Sequence, residues 1–262
     1  MNYHVPAANV AAIWITFVIV LALPVAILLY LKLKKGAKVS CFFIGGLTFT
    51  VFALLLERIW HFFIGSLAGS ALTDNLLLYA IYGGISAGLF EETGRFVAMK
   101  FWMKKKNWLD GNNALMYGAG HGGFEAWLLI GTTYLSNLIM IGMINSGALE
   151  GVLAPLDETA AAATLAMVEQ ICTLPATTFY IAVLERVGAV SLHIVLSYMV
   201  YLAISNRKAV WFVLAIILHA IVDAGIVLLA NYIPLFILEL LIIVIVAIVA
   251  FLLYKKTGRE QE

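Results

Sequence analysis

Four stretches of the sequence combine acidic, basic and imidazole side chains inside otherwise apolar segments. They are FEETGR at 90–95, GAGHGGFE at 118–125, ERVGAVSLH at 185–193 and LHAIVD at 218–223. Carboxylates and imidazoles are the side chains that transfer protons or bind transition metals near neutral pH. These stretches are therefore the candidates for chemistry.

Within these stretches, ionisable side chains recur at a spacing of four residues, which places them on one face of a helix. The pairs with this spacing are Glu91–Arg95, His121–Glu125 and His219–Asp223. We expect the first pair to be an ion pair. In the other two pairs we expect the carboxylate to hold the imidazole ring in one tautomer.

Glu92 follows Glu91 directly, so a helix turns its side chain about 100° away from that of Glu91. The two carboxylates would therefore be adjacent without being equivalent. We expect one of them to be ionised beside Arg95 and the other to serve as a general base or acid.

The amino-acid composition places these polar residues inside a membrane protein. Of the 262 residues, 63% are hydrophobic and 12% are charged, whereas soluble domains carry about 25% charged residues. The sequence has no basic patch, so we expect no nucleic-acid partner. Its two cysteines, Cys41 and Cys172, are too few for a disulfide framework.

Seven stretches have the length of a membrane span, since a bilayer core about 30 Å thick is crossed by about 20 apolar residues. They lie at about 10–31, 40–63, 76–103, 112–136, 178–205, 209–230 and 233–254. Lipid offers the backbone no hydrogen-bond partners, which favours helices. We predict an all-α, polytopic transmembrane helix bundle, with a single integral membrane domain at 1–262 and a motif-bearing core at about 76–230.

Residues 160–175 are ambiguous, because they are apolar but contain Glu169, Gln170 and Pro175. If they cross the membrane, the chain has eight spans. Lys and Arg collect in cytoplasmic loops, and with seven spans 13 of the 16 Lys and Arg residues fall on one side. We therefore predict seven spans, an external N-terminus and a cytoplasmic C-terminus, in a multi-pass integral protein of a prokaryotic cell membrane.

Ionisable residues inside a membrane are rare, and they are usually paired and functional. Counted from the predicted helix ends, the motif residues lie at heights that agree within about two helical turns. We therefore predict one polar cavity lined by Glu91, Glu92, His121, His193 and His219. The glycines around His121 would allow the helices to pack closely.

A second polar set in the predicted second span consists of Glu57, Arg58 and His61. We interpret this set, and Glu239 in the seventh span, as structural. Glu57 and His61 should therefore lie outside the cavity.

The motifs resemble those of the superfamily of CAAX-protease, bacteriocin-processing and PrsW intramembrane proteases. EETGR at 91–95 resembles its EExxR/K motif, GAGHGGFE at 118–125 its second motif, and His219 with Asp223 its HxxxN/D motif. The order of GHGGFEA, the ER…H pattern at 185–193 and HxxxD is similar to the YhfC family. The resemblance, which covers about residues 85–225, implies proteolysis within the membrane.

The second motif is open to two interpretations. It resembles FxxxH, with Tyr117 before His121, and equally FxxxE, with His121 before Glu125. The superfamily is also linked to the non-catalytic scaffold subunit of γ-secretase, which resembles this chain in length and in its seven-span layout. This link leaves a non-enzymatic function as an alternative.

We predict a glutamic-type intramembrane endopeptidase without a metal cofactor, acting on membrane-associated peptides or proteins. The predicted catalytic residues are Glu91, Glu92, His121, His193 and His219, and the supporting residues are Arg95, Glu125, Glu185, Arg186 and Asp223. Glu91 or Glu92 would activate a water molecule, and the histidines would position it or stabilise the oxyanion.

The first alternative is a zinc-dependent intramembrane metalloprotease with His121, His193 and His219 as ligands. No HExxH motif is present, which argues against it. A proton-coupled transporter would also carry ionisable residues near the middle of the membrane, but the sequence has no internal repeat. The sequence defines neither the substrate nor the oligomeric state.

Overall fold

The computed structural model describes residues 3–259, and within this range the chain forms helices and no strands. Its long helices are α1 (Ala7–Lys35), α2 (Val39–Ala68), α3 (Leu76–Val97), α4 (Gly111–Asn145), α5 (Glu158–Thr173), α6 (Ala176–Ser205), α7 (Val210–Leu229) and α8 (Leu235–Arg259). Two short helices, Ser70–Thr73 and Leu149–Leu153, lie in the connections between them.

Three π-helical turns interrupt or extend these helices. They are Phe52–Glu57 within α2, Ala98–Met103 directly after α3 and Ala126–Gly131 within α4. Such turns occur frequently at functional sites. Glu57 ends the first of them, and Glu125 directly precedes the third, so two buried or half-buried carboxylates lie where the helical geometry changes.

Within the described range, six helices are long and apolar enough to cross a membrane, namely α1, α2, α4, α6, α7 and the Leu235–Thr257 part of α8. α3 has the required length but carries Glu91, Glu92 and Arg95, and all three side chains are buried. The prediction of an all-α membrane bundle with about seven spans is confirmed. α5 has 16 residues and is therefore about 24 Å long, which is shorter than the bilayer core.

The predicted spans coincide with the helices, and several of them are shorter than the helix to which they belong. The span predicted at 112–136, for example, belongs to a helix that continues from Gly111 to Asn145. Hydropathy marks the apolar part of a helix, whereas the backbone hydrogen bonds continue into its polar flanks. The predicted domain 1–262 and the predicted sides of the termini include residues 1–2 and 260–262, which lie outside the described residues.

The chain divides into two compact units. The first unit combines the chain up to Leu23 with Ala126–Arg186, and the second combines Pro24–Glu125 with the chain from Val187 onward. The predicted motif-bearing core at 76–230 therefore falls mostly in the second unit. The single integral membrane domain stays a prediction.

The first unit has a hydrophobic core to which Ile13, Ile141, Val168 and Ile171 contribute. Asn9 donates hydrogen bonds to the carbonyls of Ile171 (2.8 Å) and Leu174 (2.9 Å). These carbonyls lie at the end of α5, where a helix has no backbone donors left. Asn9 therefore ties α1 to the end of α5.

Glycines set the distances between the helices of the second unit. A Cβ atom on Gly120 of α4 would lie 1.9 Å from the carbonyl oxygen of Phe42 in α2. On the other face of α4, a Cβ atom on Gly118 would lie 2.6 Å from the Cα atom of Ile194 in α6. A Cβ atom on Gly84 of α3 would lie 2.4 Å from the carbonyl oxygen of Ala220 in α7. Backbones this close bring ionisable side chains of neighbouring helices within contact distance, as the sequence predicts for the glycines around His121.

Candidate metal centre

Segments of four helices that belong to the second unit bring the predicted catalytic residues together. Glu91 and Glu92 come from α3, His121 from α4, His193 from α6 and His219 from α7, and all five are buried. The ring centroids of His121 and His193 are 4.8 Å apart, and those of His193 and His219 are 5.4 Å apart. The motif histidines therefore lie side by side in the bundle.

Glu91 and His121 are in direct contact. The Nε2 atom of His121 lies 2.8 Å from Oε2 of Glu91, and Nδ1 of His193 lies 3.9 Å from the same oxygen. One ligand atom each from Glu91, His121 and His193 can be chosen so that all three lie within 4.8 Å of one another. The rings of Phe49 and His121 form an edge-to-face pair with a centroid distance of 5.4 Å, which helps to fix the orientation of His121.

Glu125 contacts His193, whereas the spacing of four residues predicts a contact with His121. Its Oε2 atom pairs with Nε2 of His193. Glu125 continues the stripe formed by Gly118 and Gly122, and this stripe faces α6, where His193 lies. His121 instead points its Nε2 atom at Glu91, so the predicted His121–Glu125 pair is wrong.

Arg95 is fully buried and has four polar contacts. Its Nε atom lies 3.0 Å from Oε2 of Glu92, and its Nη1 atom donates to the carbonyl of His193 (2.8 Å) and to Oγ of Ser197 (2.5 Å). Its Nη2 atom lies 3.2 Å from Nδ1 of His193. The predicted Glu91–Arg95 pair is therefore wrong, because the guanidinium reaches towards α6 and pairs with Glu92.

Ser197 is a site residue that the sequence motifs do not reveal. It is buried, it contacts Arg95, and its own Oγ atom donates to the carbonyl of His193 at 2.7 Å. The available signal is its position four residues after His193, on the same face of the helix.

His219 lies between two carboxylates. Its Nδ1 atom lies 2.9 Å from Oε1 of Glu92, and its Nε2 atom lies 3.5 Å from Oδ2 of Asp223. The predicted His219–Asp223 pairing is confirmed, and Glu92 is an additional partner. The Asp223 side chain is 35% exposed, whereas that of Glu92 is completely buried, so the Nε2 side of the ring is the more accessible one.

Glu185 and Arg186 are predicted supporting residues that belong to the first unit, where their side chains pair with each other. Their supporting role stays a prediction. Glu239 is buried within α8.

The second polar set is a small network of its own. The Nε2 atom of His61 lies 3.2 Å from Oε1 of Glu57, and its Nδ1 atom lies 2.7 Å from the hydroxyl of Tyr82. The predicted place of Glu57 and His61 outside the cavity stays a prediction.

The donor atoms of Glu91, His121 and His193 fit a transition-metal ion. Two imidazole nitrogens and one carboxylate oxygen form a ligand set found in catalytic zinc sites. All three residues are buried within the helix bundle. Together with Glu92, Glu125 and Asp223, the cluster contains four carboxylates but only one guanidinium, that of Arg95. A divalent cation would offset this excess of acidic groups.

Two comparisons with known proteins agree on one family. A family described as "YhfC intramembrane metalloprotease" matches residues 19–252. A membrane protein of Bacillus subtilis (strain 168) named YhfC, described as uncharacterized, is 38% identical over 210 residues, which cover 79% of each chain. No solved structure matches this chain.

These findings correct two predictions. The glutamic-type mechanism is wrong, because the matched family is one of metalloproteases. The predicted absence of a metal cofactor is wrong for the same reason, and Glu91, His121 and His193 form a buried group that could bind an ion. The zinc alternative is the better description, although the group differs from the predicted ligand set by containing Glu91 in place of His219.

Integral, multi-pass membrane localisation and protease activity agree with the predictions. The family match extends over most of the chain, and the relative from Bacillus subtilis is itself described as a membrane protein. The chain therefore belongs to the YhfC intramembrane metalloprotease family.

Proposed function

We propose that this protein is a zinc-dependent intramembrane endopeptidase that hydrolyses peptide bonds of membrane-associated substrates at the Glu/His cluster of its second unit. The observation that carries the proposal is the buried group of Glu91, His121 and His193, whose ligand atoms lie within 4.8 Å of one another. The three ligands come from three helices, α3, α4 and α6.

Each ligand would offer one atom. Glu91 would use Oε2 and His121 would use Nε2, the two atoms already 2.8 Å apart. His193 would use Nδ1, which lies on the side of Glu91. Bound in such a set, zinc polarises a carbonyl group and increases the acidity of a water molecule.

Glu125 would orient His193. Its carboxylate, which pairs with Nε2, would accept the hydrogen of that nitrogen and so leave the lone pair of the ring at Nδ1. In many metal sites a carboxylate likewise accepts a hydrogen bond from the second ring nitrogen of a histidine ligand and fixes the tautomer that binds the metal.

His219 would carry the proton during hydrolysis. Glu92, whose Oε1 atom lies 2.9 Å from Nδ1, would accept the hydrogen of that nitrogen and leave the lone pair at Nε2. That nitrogen would take a proton from the attacking water and return it to the nitrogen of the leaving amine. Arg95 would keep Glu92 ionised and oriented, and Asp223 would stabilise the charged His219 ring.

We also propose that the C-terminus faces the cytoplasm and the N-terminus the outside of a prokaryotic cell. The 13 Lys and Arg residues on one side of a seven-span arrangement support this topology. A relationship to the CAAX-protease and PrsW superfamily is supported by the order of three motifs, which lie on α3, α4 and α7.

Purified protein reconstituted in detergent micelles tests the function. Elemental analysis should find about one zinc per chain, and a chelator should abolish cleavage of a model transmembrane peptide until zinc is restored. Glu91→Gln, His121→Ala and His193→Ala should lose zinc. His219→Gln should keep zinc and lose activity.

Glu57→Gln provides a matched control, because Glu57 is a buried carboxylate of the same unit outside the ligand group. It should retain zinc. Activity that persists in protein shown to contain no transition metal would overturn the proposal.

A further inference from the structure

The guanidinium of Arg95 contacts the nitrogen atom through which His193 would bind the metal. Nη2 of Arg95 is 3.2 Å from Nδ1 of His193, while Nε2 of the same ring pairs with Glu125. A ring nitrogen has one lone pair, and a guanidinium only donates hydrogen bonds. Arg95 and a metal ion are therefore alternative partners of the same atom.

Arg95 can give up this contact and remain paired. The other three contacts of its guanidinium, to Glu92, Ser197 and the carbonyl of His193, measure 2.5–3.0 Å and are shorter than the 3.2 Å contact to Nδ1. None of these three partners is an atom that would bind the ion, since the contact with His193 is to its backbone carbonyl. A small displacement of Nη2 would thus release His193 without leaving a buried charge alone, which would be costly.

We propose that Arg95 competes with the metal ion for Nδ1 of His193 and thereby sets the affinity of the site. This proposal rests on the proposed function and adds a regulatory role to a residue that touches the ligand but does not bind the ion. The fixed positive charge of Arg95 acts in the same direction, since it opposes a divalent cation placed nearby. Metal binding then exchanges one cationic partner of His193 for another.

The test is the zinc affinity of purified protein, measured by competition with a chromophoric chelator. Arg95→Lys keeps a positive charge beside Glu92, but a single ammonium group cannot also reach His193. We expect its zinc Kd to fall about tenfold. This factor corresponds to the free energy of one hydrogen bond, which zinc binding no longer has to break. Arg95→Gln also removes the charge, so its Kd should fall at least as far.

Arg58→Lys is the matched control, because Arg58 is exposed in α2 of the same unit. Its zinc Kd should equal that of the wild type. If Arg95 had a purely structural role, its substitution would weaken zinc binding or leave it unchanged, and either result in a folded variant overturns the competition.

The wild type gives an independent measurement if the variants do not fold. With arginine labelled by ¹⁵N, the guanidinium signal of Arg95 should shift when zinc is added, because its hydrogen bond to Nδ1 is lost. An unchanged signal upon stoichiometric zinc binding refutes the proposal. A wild type that binds no zinc refutes the proposed function itself.

Discussion

The contact between Glu125 and His193 allows a quantitative prediction for zinc affinity. Glu125→Gln preserves the length of the side chain but replaces a carboxylate by a neutral amide. A hydrogen bond to a charged partner is about twice as strong as a neutral one. The Glu125 side chain is 14% exposed and that of His193 is 5% exposed, so solvent screens this contact little.

Replacing a carboxylate behind a metal-binding histidine typically costs about 10–100-fold in metal affinity. We therefore expect the zinc Kd of Glu125→Gln to rise by about 10–100-fold, equivalent to about 1.4–2.8 kcal/mol. The stoichiometry should remain one zinc per chain, because Glu91, His121 and His193 are unchanged. The sign is opposite to that expected for Arg95→Lys.

The assay is the same chelator competition in detergent micelles, with Glu57→Gln as the control. Both substitutions neutralise a carboxylate on the second unit, but Glu57 pairs with His61, which is not a ligand. A Kd that stays within about threefold of the wild type for Glu125→Gln would refute the argument, since the expected loss is at least about tenfold. Equal losses of zinc affinity in both variants would show that the effect comes from the loss of negative charge in general, and not from the control of the His193 tautomer by Glu125.

Three further predictions concern catalysis, packing and topology. His219→Gln should lower kcat by about 10²–10⁴-fold with the zinc content unchanged, as expected for loss of a proton-transfer group; zinc loss in this variant would instead identify His219 as a ligand. Gly120→Ala should lower the stability by at least about 1–3 kcal/mol, because its Cβ would lie 1.9 Å from the carbonyl oxygen of Phe42; thermal unfolding measures this, and Gly142→Ala, at a position with open space, is the control. Reporter fusions at Lys35, Lys105, Lys208 and Lys256 should report the cytoplasm, and fusions at Thr73 and Asp157 the outside; an external Lys208 would instead indicate eight spans.

The metal is the part of the site that sequence reasoning gave only as an alternative. A HExxH motif is visible in a sequence because its two histidines lie four residues apart on one helix. Here the three candidate ligands, Glu91, His121 and His193, lie on three helices and are separated by at least 30 residues. No local spacing can reveal such a set, so the absence of HExxH did not exclude a metal site.

The partners of Arg95 and Glu125 were also assigned incorrectly from spacing. The rule of four residues identifies which side chains share a helix face, but it does not identify the contacts that a neighbouring helix offers. Arg95 is drawn to Ser197 and the carbonyl of His193 on α6, and it therefore pairs with Glu92. His219 and Asp223 pair as predicted because both face the cluster from the same helix.

The sequence by itself determined the helical membrane architecture and the set of polar residues at its centre. Long apolar stretches in lipid have to be helical, because the backbone finds its hydrogen bonds only within the segment. Charged residues within such stretches have to be buried among themselves, because lipid does not solvate them. Only the tertiary structure decided which of them touch, because close approaches such as those at Gly118 and Gly120 set the rotation and separation of the helices.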